Sequence, residues 1–338
     1  MKIKKTRKNI GIVGDGGWGT TLAVILAKKG CNVTLWGAFP DYIKILKTKK
    51  VNTKFLPGIR IPDEVEITSS LDDAINRKDI VVLAVPSQYM RPILTRLAAY
   101  KTSDKIFVSV TKGIENKSLK RMSEIIREIL GEALISVLSG PTIAREVAQD
   151  IPTTIVASSQ DIAIAKEIQS VFMTDRFRVY TNSDIVGVEL GGSLKNTIAI
   201  AAGISDALGF GTNAKAALLT RGLVEMARLG VAMGAKKETF YGLSGLGDLA
   251  TTCISLYSRN RRFGEEIGKG KTLKEALKET EMVVEGVATT ESAHELANKN
   301  KIEMPITEQI YKVLYEDKDP KKAVHDLMTR SPKKEGVY

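Results

Sequence analysis

Residues 9–30 read NIGIVGDGGWGTTLAVILAKKG. A short apolar run at 10–13 stops at a cluster of glycines, and a helical pattern opens directly behind it. Gly14, Gly16 and Gly19 spell G-x-G-x-x-G. After a strand and before a helix, the first of these glycines permits a tight turn and the second lets the backbone approach a pyrophosphate. The third lets helix and strand pack closely, and the helix N-terminus then turns its free N–H groups toward the anion. Leu22, Ile25 and Leu26 supply a buried helix face, and Gly30 is placed to end the helix as a C′ glycine. The stretch predicts a dinucleotide site; a glycine turn serving packing alone is the plainer alternative.

The acid that commonly holds the ribose hydroxyls about 20 residues further on is missing. The second strand ends Leu35-Trp36-Gly37-Ala38-Phe39-Pro40, without Asp, Glu or Arg. Asp41 is the nearest carboxylate and is expected to cap the helix after it. An acid here would favour NAD and an arginine would favour a 2′-phosphate. Neither preference can be read from this stretch.

Further along, apolar runs rich in Val and Ile alternate with helical spacing. Strands are predicted at 10–13, 33–36, 80–85, 106–111, 135–139 and 153–157, and helices at 20–29, 71–77, 89–99, 119–130 and 162–172. Continuous apolar strands suit a parallel sheet buried on both faces. After residue 182 only helical patterns remain, at 195–207, 214–232, 258–267, 273–278, 289–298, 306–314 and 320–328. The fold class is therefore α/β: an N-terminal Rossmann-type doubly wound parallel sheet over 1–184, then an all-helical domain over 185–338. The last eight residues, SPKKEGVY, are expected to fray.

Composition narrows the function classes. A chain of 338 residues accommodates two domains, and 43% hydrophobic with 26% charged residues is ordinary for a globular protein. No stretch of about 18 uncharged apolar residues occurs, so no membrane span is expected. The basic start, MKIKKTRK, is followed by an apolar run broken by Gly14, Asp15, Gly16 and Gly17, unlike a signal peptide, so a cytoplasmic location is expected. Cys31 and Cys253 make no disulfide framework, and His294 and His325 sit at no metal-like spacing, so no metal is expected. The net charge is +11 with only 6% aromatic residues. Nothing interleaves basic with aromatic residues as nucleic-acid binding would want. A lysine-rich solvated surface and a field that gathers small anions both remain open.

Ligands in open α/β sheets sit beyond the carboxyl ends of the strands. Three such ends carry unusual residues: Val85-Pro86-Ser87, Val110-Thr111-Lys112-Gly113 and Leu138-Ser139-Gly140-Pro141-Thr142. Lys112 places a charge where an anion or a carbonyl would lie, or is an exposed surface lysine. In VGVELGGSLKNTIAIAAG, which is nearly uncharged, Lys195 must be paired or lose its proton readily. Those are the conditions for a lysine acid/base; a lysine snorkelling to the surface is the alternative. Asp248, in GLSGLGDLATTC, reads equally as an N-cap or as the partner of a buried lysine. YSRNRRFG concentrates Arg259, Arg261 and Arg262 beside Asn260 at a helix start, which suits a phosphate or is a solvated basic turn.

Taken together, these segments resemble the NAD(P)-dependent glycerol-3-phosphate dehydrogenases of the bacterial biosynthetic type. The matching stretches are VGDGGWGTTLA, VPSQ, TKGIE, SGPTIAREVA, GVELGGSLKNTIAIAAGISDALGFGTNAKAALLTRGLVEM, GLSGLGDLATTC, SRNRRFG, VVEGVATT and MPITEQIYKVLY, in family order over about 10–330. The resemblance implies reduction of dihydroxyacetone phosphate to sn-glycerol 3-phosphate with NADH or NADPH, feeding phospholipid synthesis, and no metal. It implies Lys195 as proton donor and acceptor, with Lys112 and Asp248 lining the same pocket. Gly140, Thr142, Ser258, Arg259 and Asn260 match substrate contacts; Gly17, Trp18, Ala144, Arg259, Val283 and Glu285 match cofactor positions. A homodimer through the helical half is also implied. Two positions depart from the family. Asp15 stands where alanine is common and should face the surface, away from a pyrophosphate. Ala38 stands where a His or Arg is frequent, which weakens an assumption of NADP preference. A related reductase acting on a hydroxy acid or sugar acid would leave the arginine turn unexplained. A non-catalytic dinucleotide sensor would need an inert Lys195.

Overall fold

The computed structural model describes residues 7–280 and 282–335. Most of the basic start and the last three residues of the tail expected to fray lie outside them. The chain divides into two compact units. The first holds Met1–Thr111, Met122–Leu138 and Thr142–Ile185, and the second holds Lys112–Arg121, Ser139–Pro141 and Val186–Tyr338.

The first unit alternates strand and helix. Its order is β1 (Asn9–Val13), α1 (Gly17–Lys28), β2 (Asn32–Trp36), α2 (Pro40–Lys49), β3 (Glu66–Thr68), α3 (Leu71–Ile75), β4 (Ile80–Leu83), α4 (Met90–Leu97) and β5 (Ile106–Ser109). Then come α5 (Met122–Leu130), β6 (Leu134–Ser139), α6 (Ala144–Ala148), β7 (Thr153–Ser158), α7 (Ile162–Phe172) and β8 (Phe177–Asn182). They build one eight-stranded sheet in the order β3-β2-β1-β4-β5-β6-β7-β8. β1 pairs in parallel with β2 on one side and β4 on the other, Ile12 standing opposite both Leu35 and Val82. Strand order thus reverses at β1, and the crevice beyond its carboxyl end is the switch point where such sheets bind ligands. Ile10, Ile12, Val82 and Val108 are fully buried, as strands covered on both faces require.

Two strands escape the search for continuous apolar runs. β3 is three residues long with Glu66 exposed. β8 alternates, Phe177 and Val179 inward and Arg178 and Tyr180 outward, because it closes the sheet edge. The helix expected at 119–130 begins only at Met122. Lys117 and Leu119 take left-handed φ of 68° and 58°, and Ile114 bridges Arg121 in an antiparallel loop.

The second unit is helical: α8 (Ile185–Ala207), α9 (Thr212–Ala232), α10 (Asp248–Ile254), α11 (Arg259–Gly268), α12 (Leu273–Lys278), α13 (Glu285–Asn300), α14 (Pro305–Tyr315) and α15 (Pro320–Met328). α8 starts ten residues before the predicted 195 because glycines at 191 and 192, poor for helix propensity, are needed for packing. A Cβ on Gly191 would stand 2.6 Å from the Ser244 carbonyl oxygen, and one on Gly192 would stand 2.5 Å from Ser139 Oγ. No described helix is long and apolar enough to cross a membrane.

Candidate active site

In the first unit the glycine turn has the predicted form. Gly14 follows β1 at φ 124°, a region that disfavours a side chain, and its N–H donates to the Trp36 carbonyl at 3.0 Å. A Cβ on Gly19 would sit 1.9 Å from the Gly14 carbonyl oxygen, so helix and turn are in contact there. Above Gly16 a Cβ would meet nothing within 4 Å. Gly16 is also the N-cap of α1 and brings no capping side chain to the first-turn N–H groups. Open space over free donors at a helix N-terminus fits a pyrophosphate. Ala144 lies alongside, its carbonyl accepting from Thr21 Oγ1 at 3.0 Å, and Thr21 also donates to the Gly17 carbonyl at 2.9 Å. The Trp18 ring tilts against Phe177 at 6.4 Å. Thr142 belongs to this unit and is half-buried.

Two expectations at this end need correction. Asp15 does not face outward. Asn52 Nδ2 at 2.7 Å and Thr20 Oγ1 at 3.2 Å hold its carbonyl, and its Oδ2 is enclosed over Gly37, where a Cβ would stand 2.5 Å away. The glycine leaves the space that the carboxyl group fills, and burial raises the Asp15 pKa above its ordinary value. Asp41 does not cap α2 either. Phe39 holds the N-cap position and Pro40 the first helical one, which leaves Asp41 in the first turn, paired with Lys44 at 3.1 Å.

In the second unit one carboxylate joins two lysines. Lys195, on the inner face of α8, is 5% exposed, and Asp248, the first residue of α10, is 2% exposed. Asp248 Oδ1 lies 3.0 Å from Lys195 Nζ, and Oδ2 lies 2.7 Å from Lys112 Nζ. Lys112 Nζ also donates to the Gly140 carbonyl at 2.8 Å. Lys195 donates to Thr252 Oγ1 at 2.6 Å, and that hydroxyl lies 2.6 Å from the Asp248 carbonyl oxygen one helical turn back. Burial lowers the Lys195 pKa from 10.5 to about 8; Asp248 opposes the shift and the Lys112 charge assists it. Between the N-cap and lysine-partner readings of Asp248, the second holds. A π-helical turn, Leu243–Gly247, precedes α10, and the carboxylate turns to the lysines.

A chain of amides braces the cluster. Asn196 Nδ2 donates to the Lys112 carbonyl at 3.0 Å, Asn260 Nδ2 donates to Asn196 Oδ1 at 2.8 Å, and Gly286 N–H donates to Asn260 Oδ1 at 2.9 Å. Ser258 is the N-cap of α11, accepting from the Arg261 N–H at 3.2 Å. The three arginines then part. Arg261 is buried and spent on Asp206 at 2.7 Å and Glu265 at 2.9 Å, whereas Arg262 is exposed. Arg259 is exposed too and donates to the Val283 carbonyl at 2.8 Å, two residues before Glu285 opens α13. Thr252 and Asn196 escape the sequence reading. Both carry a weak signal, Asn196 beside the lysine in an uncharged helix and Thr252 at i+4 from Asp248.

Residues 9–165 match the N-terminal region of the NAD-dependent glycerol-3-phosphate dehydrogenases, and residues 184–325 match their C-terminal region. The chain belongs to this family. It is 51% identical over 333 residues to the glycerol-3-phosphate dehydrogenase [NAD(P)+] of Citrifermentans bemidjiense, covering 98% of this chain and 99% of that one. It is 52% identical over 331 residues to the enzyme of that name from Geobacter metallireducens, covering 97% and 99%. The crystal structure of glycerol-3-phosphate dehydrogenase from Coxiella burnetii superposes with a TM-score of 0.93 at 40% identity, over 96% of this chain and 99% of that one. The family resemblance and the α/β fold class expected from the sequence both hold.

Proposed function

We propose that this family member reduces dihydroxyacetone phosphate to sn-glycerol 3-phosphate, reversibly, with NADH or NADPH. The observation that carries the chemistry is the Lys112–Asp248–Lys195 cluster, an acid/base lysine held by a shared carboxylate. The bound nicotinamide supplies the hydride; the protein supplies charge, geometry and a proton. As an ammonium, Lys195 polarises the substrate carbonyl and gives its proton to the forming carbinol oxygen. Asp248 keeps that ammonium aimed, Thr252 fixes its direction, and Lys112 adds positive field. The start of α11 holds the substrate phosphate. Ser258 sets the helix entry, Arg259 gives a cationic fork, and the Asn260 backbone N–H belongs to the first turn, where a helix has no acceptor of its own, its side chain being spent on Asn196 and Gly286. Phosphate binding away from the reacting carbon then positions the carbonyl.

Gly140 and Thr142 complete the substrate contacts. Gly14, Gly16, Gly17, Trp18, Gly19, Lys112, Ala144, Arg259, Val283 and Glu285 serve the cofactor. We assign the dinucleotide to 1–184 and the substrate to 185–338, with Lys112 and the Gly140 turn joining the latter. A cytoplasmic homodimer feeding phospholipid synthesis accords with the family. The deciding experiment follows NADH and NADPH by absorbance with and without dihydroxyacetone phosphate. Oxidation dependent on that substrate supports the assignment; folded protein that binds NADH yet oxidises neither cofactor sinks it.

A further inference from the structure

Folds of this kind commonly read the adenosine ribose with an acid at the tip of the second strand, and residues 36–40 offer none. A carboxyl group is nevertheless present at that tip, delivered by the glycine turn. Asp15 Oδ2 lies 2.5 Å from where a Cβ on Gly37 would stand. We propose that Asp15 replaces the absent acid, accepting from the adenosine 2′-hydroxyl and thereby selecting NAD(H) over NADP(H). The proposal rests on the dinucleotide reading of the turn made above.

Oδ2 is enclosed and has no hydrogen-bond partner among the described residues, so a ribose hydroxyl would supply the donor that it lacks. The place for it is kept: a side chain on Gly37 would collide with Asp15 Oδ2 and with Ile43 Cδ1 at 2.6 Å. Its backbone is pinned as well. Buried Asn52 donates to the Asp15 carbonyl at 2.7 Å and to Thr20 Oγ1 at 2.7 Å, while accepting from Tyr42 OH at 2.7 Å. A 2′-phosphate would meet the opposite of what it needs. The carboxylate repels it, and Arg96, a cation near this strand end, lies over the Trp36 ring at 5.7 Å. Burial keeps the Asp15 pKa above its usual value despite a hydrogen bond from its own backbone, and hydroxyl donors would draw it down further.

The test is equilibrium titration by calorimetry of full-length wild-type protein, D15A and D15N, with NADH and NADPH. ADP-ribose and 2′-phospho-ADP-ribose isolate the adenosine half. Wild type should bind NADH and ADP-ribose at least about tenfold more tightly than the 2′-phosphorylated forms. D15A should weaken ADP-ribose several-fold, strengthen 2′-phospho-ADP-ribose, and so collapse the ratio toward one. D15N keeps an acceptor but loses the charge, and should relax the discrimination while retaining ADP-ribose. Thermal melting of the free proteins should show D15A folded and close to wild type in stability, since Oδ2 gives up no hydrogen bond to a described residue. Equal binding of both nucleotides by wild type, or an unchanged ratio in D15A, overturns the proposal and leaves the enzyme assignment standing. Folded protein binding none of the four ligands overturns both.

Discussion

A lysine buried in an uncharged helix stays charged only at a cost, and Lys195 is held near the balance point, its pKa brought from 10.5 to about 8. With the proposed role of its ammonium in reduction, kcat/KM for dihydroxyacetone phosphate should fall as pH rises through about 8, whereas glycerol 3-phosphate oxidation should gain over the same range; flat profiles in initial-rate assays would contradict the role. Lys195→Ala should lower turnover by about 10²–10⁴-fold, as loss of a general acid does, with NADH affinity preserved in a titration. A dinucleotide sensor would show little change. Thr252→Val removes the hydroxyl beside Lys195 at 2.6 Å, and should move the pH midpoint downward while the protein stays folded. The linkage to stability runs in a definite direction. Between about 8 and 10.5 the unfolded chain holds a proton that native Lys195 has released, so this residue adds stability as pH rises across that window.

Secondary-structure elements are held in place by groups that look ordinary in the sequence. Glu225 sits inside α9 yet serves the start of α14. Its Oε1 accepts from the Ile306 N–H at 2.6 Å, and Oε2 accepts from the Thr307 N–H at 3.1 Å. The N-cap there is Met304, which has no capping oxygen, so α9 supplies one from a distance. Burial raises the Glu225 pKa from 4.5 to about 7. The native state therefore holds a proton that the unfolded chain loses above 4.5, and this contribution to stability declines from pH 4.5 to about 7. In Glu225→Gln that slope should vanish from denaturant midpoints measured across the range. The crossing of α8 with α11 is as tight: a Cβ on Gly203 would sit 1.9 Å from the Arg261 carbonyl oxygen, and one on Gly264 would sit 2.1 Å from that of Ile200. Gly264→Ala should cost about 1–3 kcal/mol by overpacking, seen as a lower melting temperature. It should also raise KM for dihydroxyacetone phosphate, because α11 carries Ser258, Arg259 and Asn260.

On the scale of the whole molecule, a net charge of +11 meets a substrate and a cofactor that are both anions. If the surplus attracts them, kcat/KM should fall several-fold between about 0.05 and 0.5 M NaCl, with kcat much less affected. An unchanged ratio would make the surplus lysines plain solvated surface. The sequence by itself determined the alternation of strand and helix, the glycine turn and the switch to helices near residue 185, because each is written in local periodicity or in a fixed spacing. Short or alternating edge strands such as β3 and β8 were illegible for the same reason, having no continuous apolar run. Lys195 announced itself as a charge inside a neutral helix, and Asp248 was ambiguous until its neighbours were known. Tertiary structure alone decided that Asp248 is shared by Lys195 and Lys112, partners 53 and 136 positions away being invisible to any local pattern. It alone showed that Arg261 is spent on Asp206 while Arg259 is exposed, and that Glu225 caps a helix 81 residues away. It also turned Asp15 inward. Gly37 has no side chain to keep that carboxyl group out, and a sequence cannot say which empty space lies beside which residue.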